Sequence, residues 1–390
     1  MRRMQARSLK RLRLAATGLA LLAALLGPKL WQRSSAPRLE RAAEPRYEPR
    51  ELVPGGNSPP APRVAPELES LDRAGLEAAA AYAGAHGSRA LIVSRHDHIV
   101  FERYWQGNGF DTLADAQSFT RLLAALAVGV AISHRLIGWP DEPVGAFIGE
   151  WRQDPRAAIT VRNLLQSSSG LARPQPAPRG TDLIAPLLRT PLATAPGGTR
   201  TEQATDPQLL ALVIERAAKE RYASYLSQVL WRRIGAADAW LRLERPGGAA
   251  HADCCMLARQ GDWMRIGELL VRDGNYRGDE VIRPGWLALL RAPSRADPHH
   301  GAYLRLATSL APGEDPYLAD DLFLVGGEGG NRLWLVPSLQ LAILCTGAPA
   351  GRDAAWSDSR VPNLIVGAVR DLRPRSRLPP ADVSALVPGH

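Results

Sequence analysis

Lysine is nearly absent from this chain. Its 390 residues hold three, Lys10, Lys29 and Lys219, and arginine supplies the rest of a Lys+Arg total of 48. Only Lys219 lies beyond the first 33 residues, and its setting, Ala217-Ala218-Lys219-Glu220-Arg221, reads as a solvated helix face. Cysteine is scarce too: Cys254, Cys255 and Cys345. Three cysteines make no disulfide framework, and without a CxxC pair or a Cys/His cluster the sequence offers no metal site. They read as small buried hydrophobes, the alternative being a bridge from Cys345 to Cys254 or Cys255 in an oxidising compartment. No Gly-x-Ser-x-Gly elbow is present, so the α/β-hydrolase nucleophile turn is excluded. Zinc-finger and RNA-binding motifs are missing, as are internal repeats.

The net charge of +9 is local. Residues 1–33 carry eight cations (Arg2, Arg3, Arg7, Lys10, Arg11, Arg13, Lys29, Arg33) and no acid, which leaves +1 for everything after them. The basicity therefore belongs to a leader and not to a nucleic-acid surface. Behind its basic start, residues 14–27 form an uncharged Leu/Ala-rich run, shorter than the about 20 residues of a full span. This pattern predicts a signal anchor or a signal peptide, with Pro28-Lys29-Leu30-Trp31 favouring an uncleaved anchor. The expected location is the cell inner membrane with the domain facing the periplasm, or secretion if the leader is cleaved. Residues 34–66, rich in Pro, Arg and Glu, read as a linker, residues 67–373 as the folded domain and 374–390 as a Pro-rich tail.

Within the domain, periodicity predicts a helix over 67–85 and a hairpin from 89–94 and 98–105. A mostly apolar helix of about four turns follows over 117–132. Further helices are expected at 159–165, 207–218, 221–232, 261–273, 284–291 and 361–372, and strands at 303–306, 332–336 and 341–346. Strands at both ends of a helical middle imply an α/β (α+β) fold, one antiparallel sheet flanked by helices with an inserted helical region.

Several segments resemble, in order, the β-lactamase-related serine hydrolases: class C β-lactamases, D-alanyl-D-alanine carboxypeptidases, esterases and nylon-oligomer hydrolases. Ser118-Phe119-Thr120-Arg121 running into Gly129-Val130-Ala131-Ile132 resembles the family's Ser-x-x-Lys nucleophile helix, where i, i+3 spacing puts both side chains on one face. Ile159-Thr160-Val161-Arg162-Asn163-Leu164-Leu165 with Ser168-Ser169-Gly170-Leu171 resembles a signature segment. Pro196-Gly197-Gly198-Thr199-Arg200 resembles the loop of the second motif, and Glu328-Gly329-Gly330-Asn331 the third.

The resemblance implies a fold of the serine β-lactamase and penicillin-binding-protein type, a small-molecule or peptide ester or amide substrate, and no cofactor. It places Ser118 at the nucleophile position, Arg121 at the lysine position and Gln203 at the tyrosine position. Thr205, Glu328, Gly329, Gly330 and Asn331 fall at substrate-binding positions. The oxyanion would be held by backbone N–H groups of Ser118 and of residues 331–332. Guanidinium does not deprotonate and glutamine is no base, so the activating pair is replaced. Two functions follow: a weak or atypical ester/amide hydrolase, or an inactive relative that binds a peptidoglycan-derived peptide or a protein partner. His251, His299 and His300 are candidates for a substitute base, whereas Tyr222 and Tyr225 read as packing residues.

Overall fold

The computed structural model describes residues 47–115, 117–173, 180–326, 330–347 and 356–371. The expected leader (1–33), the tail (374–390), Glu328 and Gly329 lie outside them. In chain order the strands are β1 (Arg50–Val53), β2 (Ala90–Arg95), β3 (His98–Tyr104), β4 (Leu113–Asp115), β5 (Ala239–Arg242) and β6 (Met256–Arg259). After these come β7 (Asn275–Tyr276), β8 (Asp279–Glu280), β9 (Arg305–Leu306), β10 (Phe323–Gly326), β11 (Arg332–Val336) and β12 (Leu341–Thr346). The helices are α1 (Arg73–Ala85), α2 (Phe119–Ser133), α3 (Val161–Leu165), α4 (Ile184–Arg189), α5 (Thr205–Ala218), α6 (Tyr222–Leu226), α7 (Gln260–Val271), α8 (Trp286–Arg291) and α9 (Arg360–Val366).

The strands form a six-stranded sheet of order β3-β2-β12-β11-β10-β9, a four-stranded sheet of order β1-β5-β6-β4, and the β7-β8 hairpin. Every pairing is antiparallel. The expectation of a single sheet is corrected here. The smaller sheet was hidden because its strands have three or four residues and its β1-β5 pair joins residues far apart in sequence.

The central strands β10, β11 and β12 of the larger sheet are covered on both faces, which is why they are mostly apolar, whereas the edge strand β3 carries Glu102 and an exposed Arg103. Alternation sends Leu341, Ile343 and Cys345 of β12 to the side packed by α1 and α9, and Ala342 and Leu344 to the side packed by α7. The second side continues into the main core, where α2 is central. Twelve of its fifteen residues are buried, so it is apolar all round rather than amphipathic. Close packing against α8 depends on Gly129: a Cβ there would stand 2.4 Å from the Trp286 ring, whose Nε1 donates to the Ala125 carbonyl at 3.1 Å.

The linker expected over 34–66 is also corrected from residue 47 onward. Tyr47 and Val53 are buried, and β1 pairs with β5. Pro54-Gly55-Gly56 looked like tether composition, yet it is a close backbone approach. The Gly56 and Asn57 amides both donate to the Ala236 carbonyl, and a Cβ on Gly55 would lie 2.2 Å from that oxygen. Glycine serves there because nothing larger fits. Among the described residues no helix is long and apolar enough to cross a membrane; the apolar run 14–27 is not among them.

Candidate active site

The site is built where the start of α2 meets the loop before α5 and the start of β11. Gln117 precedes α2 with φ of 45°, a left-handed conformation uncommon for a side-chain-bearing residue. Its amide donates to Asp115 Oδ1 at 3.0 Å, so a short side chain on β4 shapes the turn into the helix. Ser118 follows at the N-cap position but makes no capping hydrogen bond. Its Oγ is buried and has no hydrogen-bond partner among the described residues.

Arg121, one turn on, is engaged by two other partners. Its Nε donates to the Asp253 carbonyl at 3.0 Å and one terminal nitrogen donates to Glu202 Oε1 at 2.7 Å. Glu202 also meets Arg200 at 3.4 Å, and its carbonyl accepts from Arg173 at 3.5 Å. Gln203 is 7% exposed; its Nε2 donates to the Leu171 carbonyl at 3.3 Å while its Oε1 is buried without a partner. Thr205, fully buried at the start of α5, likewise has an unpartnered Oγ1. From the other side Asn331, just before β11, donates Nδ2 to the Asp115 carbonyl at 2.6 Å and accepts from the Gly347 amide at 3.3 Å. The structure thus brings Arg121 to the residue beside Gln203, and Asn331 to the strand that leads into Ser118.

The substitute bases fare differently. His300 is paired with Asp297 at 2.7 Å, and its basicity is lowered by burial and by the nearby Arg200. His251 is held between Glu244 (2.9 Å) and Asp253 (3.2 Å). Tyr222 and Tyr225 pack in the core with unpartnered hydroxyls; burial raises both phenols, that of Tyr225 to about 12. Lys219 is exposed in a left-handed conformation that ends α5. None is a hydrogen-bond partner of Ser118.

Two groups escaped the sequence reading. Asp206 is completely buried, and burial drives its carboxyl from an ordinary 3.8 up to about 7, against hydrogen bonds from Ser169 and Gln203 that pull it down. The Ser169 hydroxyl donates to it at 2.6 Å. Tyr303 donates its hydroxyl to the Leu164 carbonyl at 2.7 Å, and burial holds the phenol far from ionisation. Asp206 follows Thr205 directly, but an acid in the first turn of a helix reads as a surface partner of the helix dipole, so spacing gave no sign of its burial.

The cysteines bring a further correction. Cys254 and Cys255 are half-buried and bonded to each other, and Cys345 is free and buried, with burial pushing its thiol up to about 11. The bond joins the two adjacent cysteines, and neither pairs with Cys345. The expectation of no ligand cluster also changes, since His251, Asp253 and Cys254 bring their side-chain donor atoms within 4.8 Å of one another.

Comparison with known proteins agrees with this architecture. The beta-lactamase family model matches residues 74–345. A 6-aminohexanoate-dimer hydrolase from Paenarthrobacter ureafaciens is 23% identical over 226 residues, 51% of this chain and 55% of that protein. The chain thus spans about half the length of that curated relative. Among solved structures, one assigned as a 6-aminohexanoate-dimer hydrolase from Bacillus anthracis superposes with a TM-score of 0.66 at 15% identity, over 86% of this chain and 93% of that one. A penicillin-binding protein homolog from Caulobacter crescentus gives 0.60 at 16% identity (76% and 97%), and a class C beta-lactamase from Rhodobacter sphaeroides 0.57 at 14% (75% and 98%).

Proposed function

Because this chain belongs to the beta-lactamase family, we propose that it is a member that keeps the nucleophile position and has lost its base, so that ester or amide turnover at Ser118 is slow. One observation carries the reading: Ser118 Oγ is buried with no hydrogen-bond partner among the described residues, while Arg121 donates to the Glu202 carboxylate and the Asp253 carbonyl. A serine hydroxyl attacks a carbonyl only when something takes its proton. A positioned acid–base group contributes about 10²–10⁴-fold, and the rate that remains comes from oxyanion stabilisation and positioning, as when members of a catalytic triad are removed. Backbone N–H groups of Ser118 and of residues 331–332 are the proposed oxyanion donors, with Gln203, Thr205, Gly330 and Asn331 lining the substrate side.

A second reading is a non-catalytic relative that binds a peptidoglycan-derived peptide or a protein partner in the cleft. Its support is that Gln203 Oε1 and Thr205 Oγ1, like Ser118 Oγ, are buried without partners among the described residues, which a bound ligand could satisfy. A fluorophosphonate probe separates the two. Labelling that disappears in Ser118→Ala, with slow turnover of an activated ester, supports the hydrolase. No labelling, with saturable binding of a muropeptide, supports the binding module. We place the domain on the periplasmic side of the inner membrane on the charge and apolar pattern of residues 1–33 alone. Fractionation of cells carrying the full chain, with protease access from the periplasm, tests that placement.

A further inference from the structure

The turn between β5 and β6 presents the cluster of greatest chemical promise outside the hydrolase positions. Its backbone is rigidly held. The His251 amide donates to the Arg242 carbonyl at 2.9 Å, and the Gln208 side chain on α5 pins both neighbours, donating to the Ala250 carbonyl and accepting from the Ala252 amide, each at 2.9 Å. His251 is thereby fixed with Nε2 at 2.9 Å from Glu244 Oε2 and Nδ1 at 3.2 Å from Asp253 Oδ1. Glu244 in turn accepts from Arg242 at 3.0 Å and from the Gly180 amide at 3.2 Å.

A neutral imidazole has one proton and can satisfy only one of these carboxylates. Arg242 Nη2 also stands 3.4 Å from Nε2, and the tautomer sets which ring nitrogen donates; the tautomer with its proton on Nε2 toward Glu244 leaves the Nδ1 lone pair for a ligand on the Asp253 side. A carboxylate that orients a histidine through its far nitrogen is the usual support of a metal-bound histidine. Cys254 Sγ completes the set, within 4.8 Å of the His251 and Asp253 donor atoms. A tetrahedral zinc ion with bonds of about 2.0–2.3 Å separates its ligands by about 3.5 Å, so modest side-chain movement would close the site. In the structure Cys254 Sγ is tied to Cys255 Sγ, and a disulfide sulfur is a poor ligand.

We propose that reduction of the Cys254–Cys255 bond creates a site for a zinc-type divalent cation, ligated by the Cys254 thiolate, His251 Nδ1 and Asp253, with Glu244 as the residue that orients the histidine. A dithiol reductant supplies two electrons and two protons. It passes to its own disulfide while Cys254 and Cys255 become thiols, and cation binding then releases the Cys254 proton. The fourth position is left to water. The same turn grips the Ser118 helix, because the Asp253 carbonyl accepts from Arg121 Nε and the Met256 amide donates to Thr120 Oγ1 at 3.4 Å. Occupancy and the start of α2 are therefore mechanically linked.

The test uses the full chain, once oxidised and once reduced with dithiothreitol and desalted without oxygen, titrated with Co²⁺ and then Zn²⁺. The reduced chain should bind one Co²⁺ with a near-ultraviolet thiolate-to-cobalt absorption that Zn²⁺ abolishes, and the oxidised chain should bind at least tenfold more weakly. Cys255→Ser, which cannot form the bond, should show the band without reductant, and Cys254→Ser should lack it. Glu244→Gln should weaken binding by about 10–100-fold. Absence of stoichiometric cobalt in the reduced wild-type chain, equal affinity in both redox states, or a band that survives Cys254→Ser overturns the proposal. The comparison of redox states needs no substitution, so misfolding of a variant cannot mask the result, and it is independent of whether Ser118 is catalytic.

Discussion

Replacing Asp206 with asparagine should remove a pH-dependent term from the stability of this chain. The carboxyl is fully buried, and its pKa rises from 3.8 to about 7 because burial disfavours the charge more than Ser169 and Gln203 favour it. The native state therefore holds a proton on Asp206 between about pH 4 and 7 that the unfolded chain releases. Stability rises with pH only where the unfolded state binds more protons; here the native state binds more, so this group's contribution is fully present below about pH 4 and is lost as pH rises to about 7. The gap between 3.8 and about 7 corresponds to ~4 kcal/mol. Asparagine is close in shape and can still accept from the Ser169 hydroxyl, but it does not titrate. Urea unfolding of wild type and Asp206→Asn at pH 4.5, 5.5, 6.5 and 7.5 measures the effect. The difference in unfolding free energy should move in the variant's favour by a few kcal/mol from the lowest pH to the highest. Parallel curves would refute the reasoning, since they would mean that Asp206 stays ionised in the folded chain.

Three other outcomes are expected. Gly129→Ala forces a methyl group into the Trp286 ring, an overpacking that costs about 1–3 kcal/mol and should lower the melting temperature by several degrees. Asp358→Ala removes the carboxylate shared by Arg305 and Arg332, the latter only 4% exposed. Loss of one partner of a buried pair costs about 3–5 kcal/mol, readable as a fall in the urea midpoint at unchanged slope. Arg121→Lys with Gln203→Tyr should speed hydrolysis of an activated ester, measured as kcat/KM, toward the about 10²–10⁴-fold that an acid–base group provides. No gain at all, even with the Glu202 charge removed, would mean that the cleft no longer positions a substrate at Ser118.

Much of the fold could be read from local pattern, and the misses have a common cause. The hairpin expected at 89–94 and 98–105 is β2-β3, and the helix expected at 159–165 is α3, which starts at Val161 because Thr160 and Asn163 make a reciprocal capping box. Each of those signals lies within a few residues of the element it specifies. The β1-β5 pair, the packing of Gly55 on Ala236 and the burial of Asp206 depend on partners tens to hundreds of residues away. Proline and glycine that look like a tether are indistinguishable, by composition, from proline and glycine chosen for a close backbone contact. The candidate site was legible to the extent that its residues sit on motif segments. What Arg121 binds was not, because Asp253 comes from β6's approach and Glu202 from a loop whose register spacing alone leaves open.

Those two partners decide how Arg121, at the proposed lysine position, should be understood. The contacts that hold α2 among the described residues need no base: the Trp286 indole rests on Gly129, Asn331 ties the start of β11 to Asp115, and the surrounding core is apolar. The fold can therefore persist while activation is lost. The neighbourhood also suits guanidinium, whose several donors reach the Asp253 carbonyl and the Glu202 carboxylate together. A lysine placed there would meet Glu202 as a carboxylate neighbour, and an opposite charge stabilises the protonated amine, the form that cannot accept a proton from serine. Arg121→Lys alone should then leave esterase activity almost unchanged, and the Gln203→Tyr combination should fall short of its full gain. Adding Glu202→Gln removes that charge at little structural cost, since Glu202 is 57% exposed in its pair with Arg121 and exposed pairs contribute about 0–1 kcal/mol. The triple variant should exceed the double variant in kcat/KM and shift the pH at which activity rises downward. Equal rates and equal pH profiles in the two would show that Glu202 exerts no hold on the introduced amine.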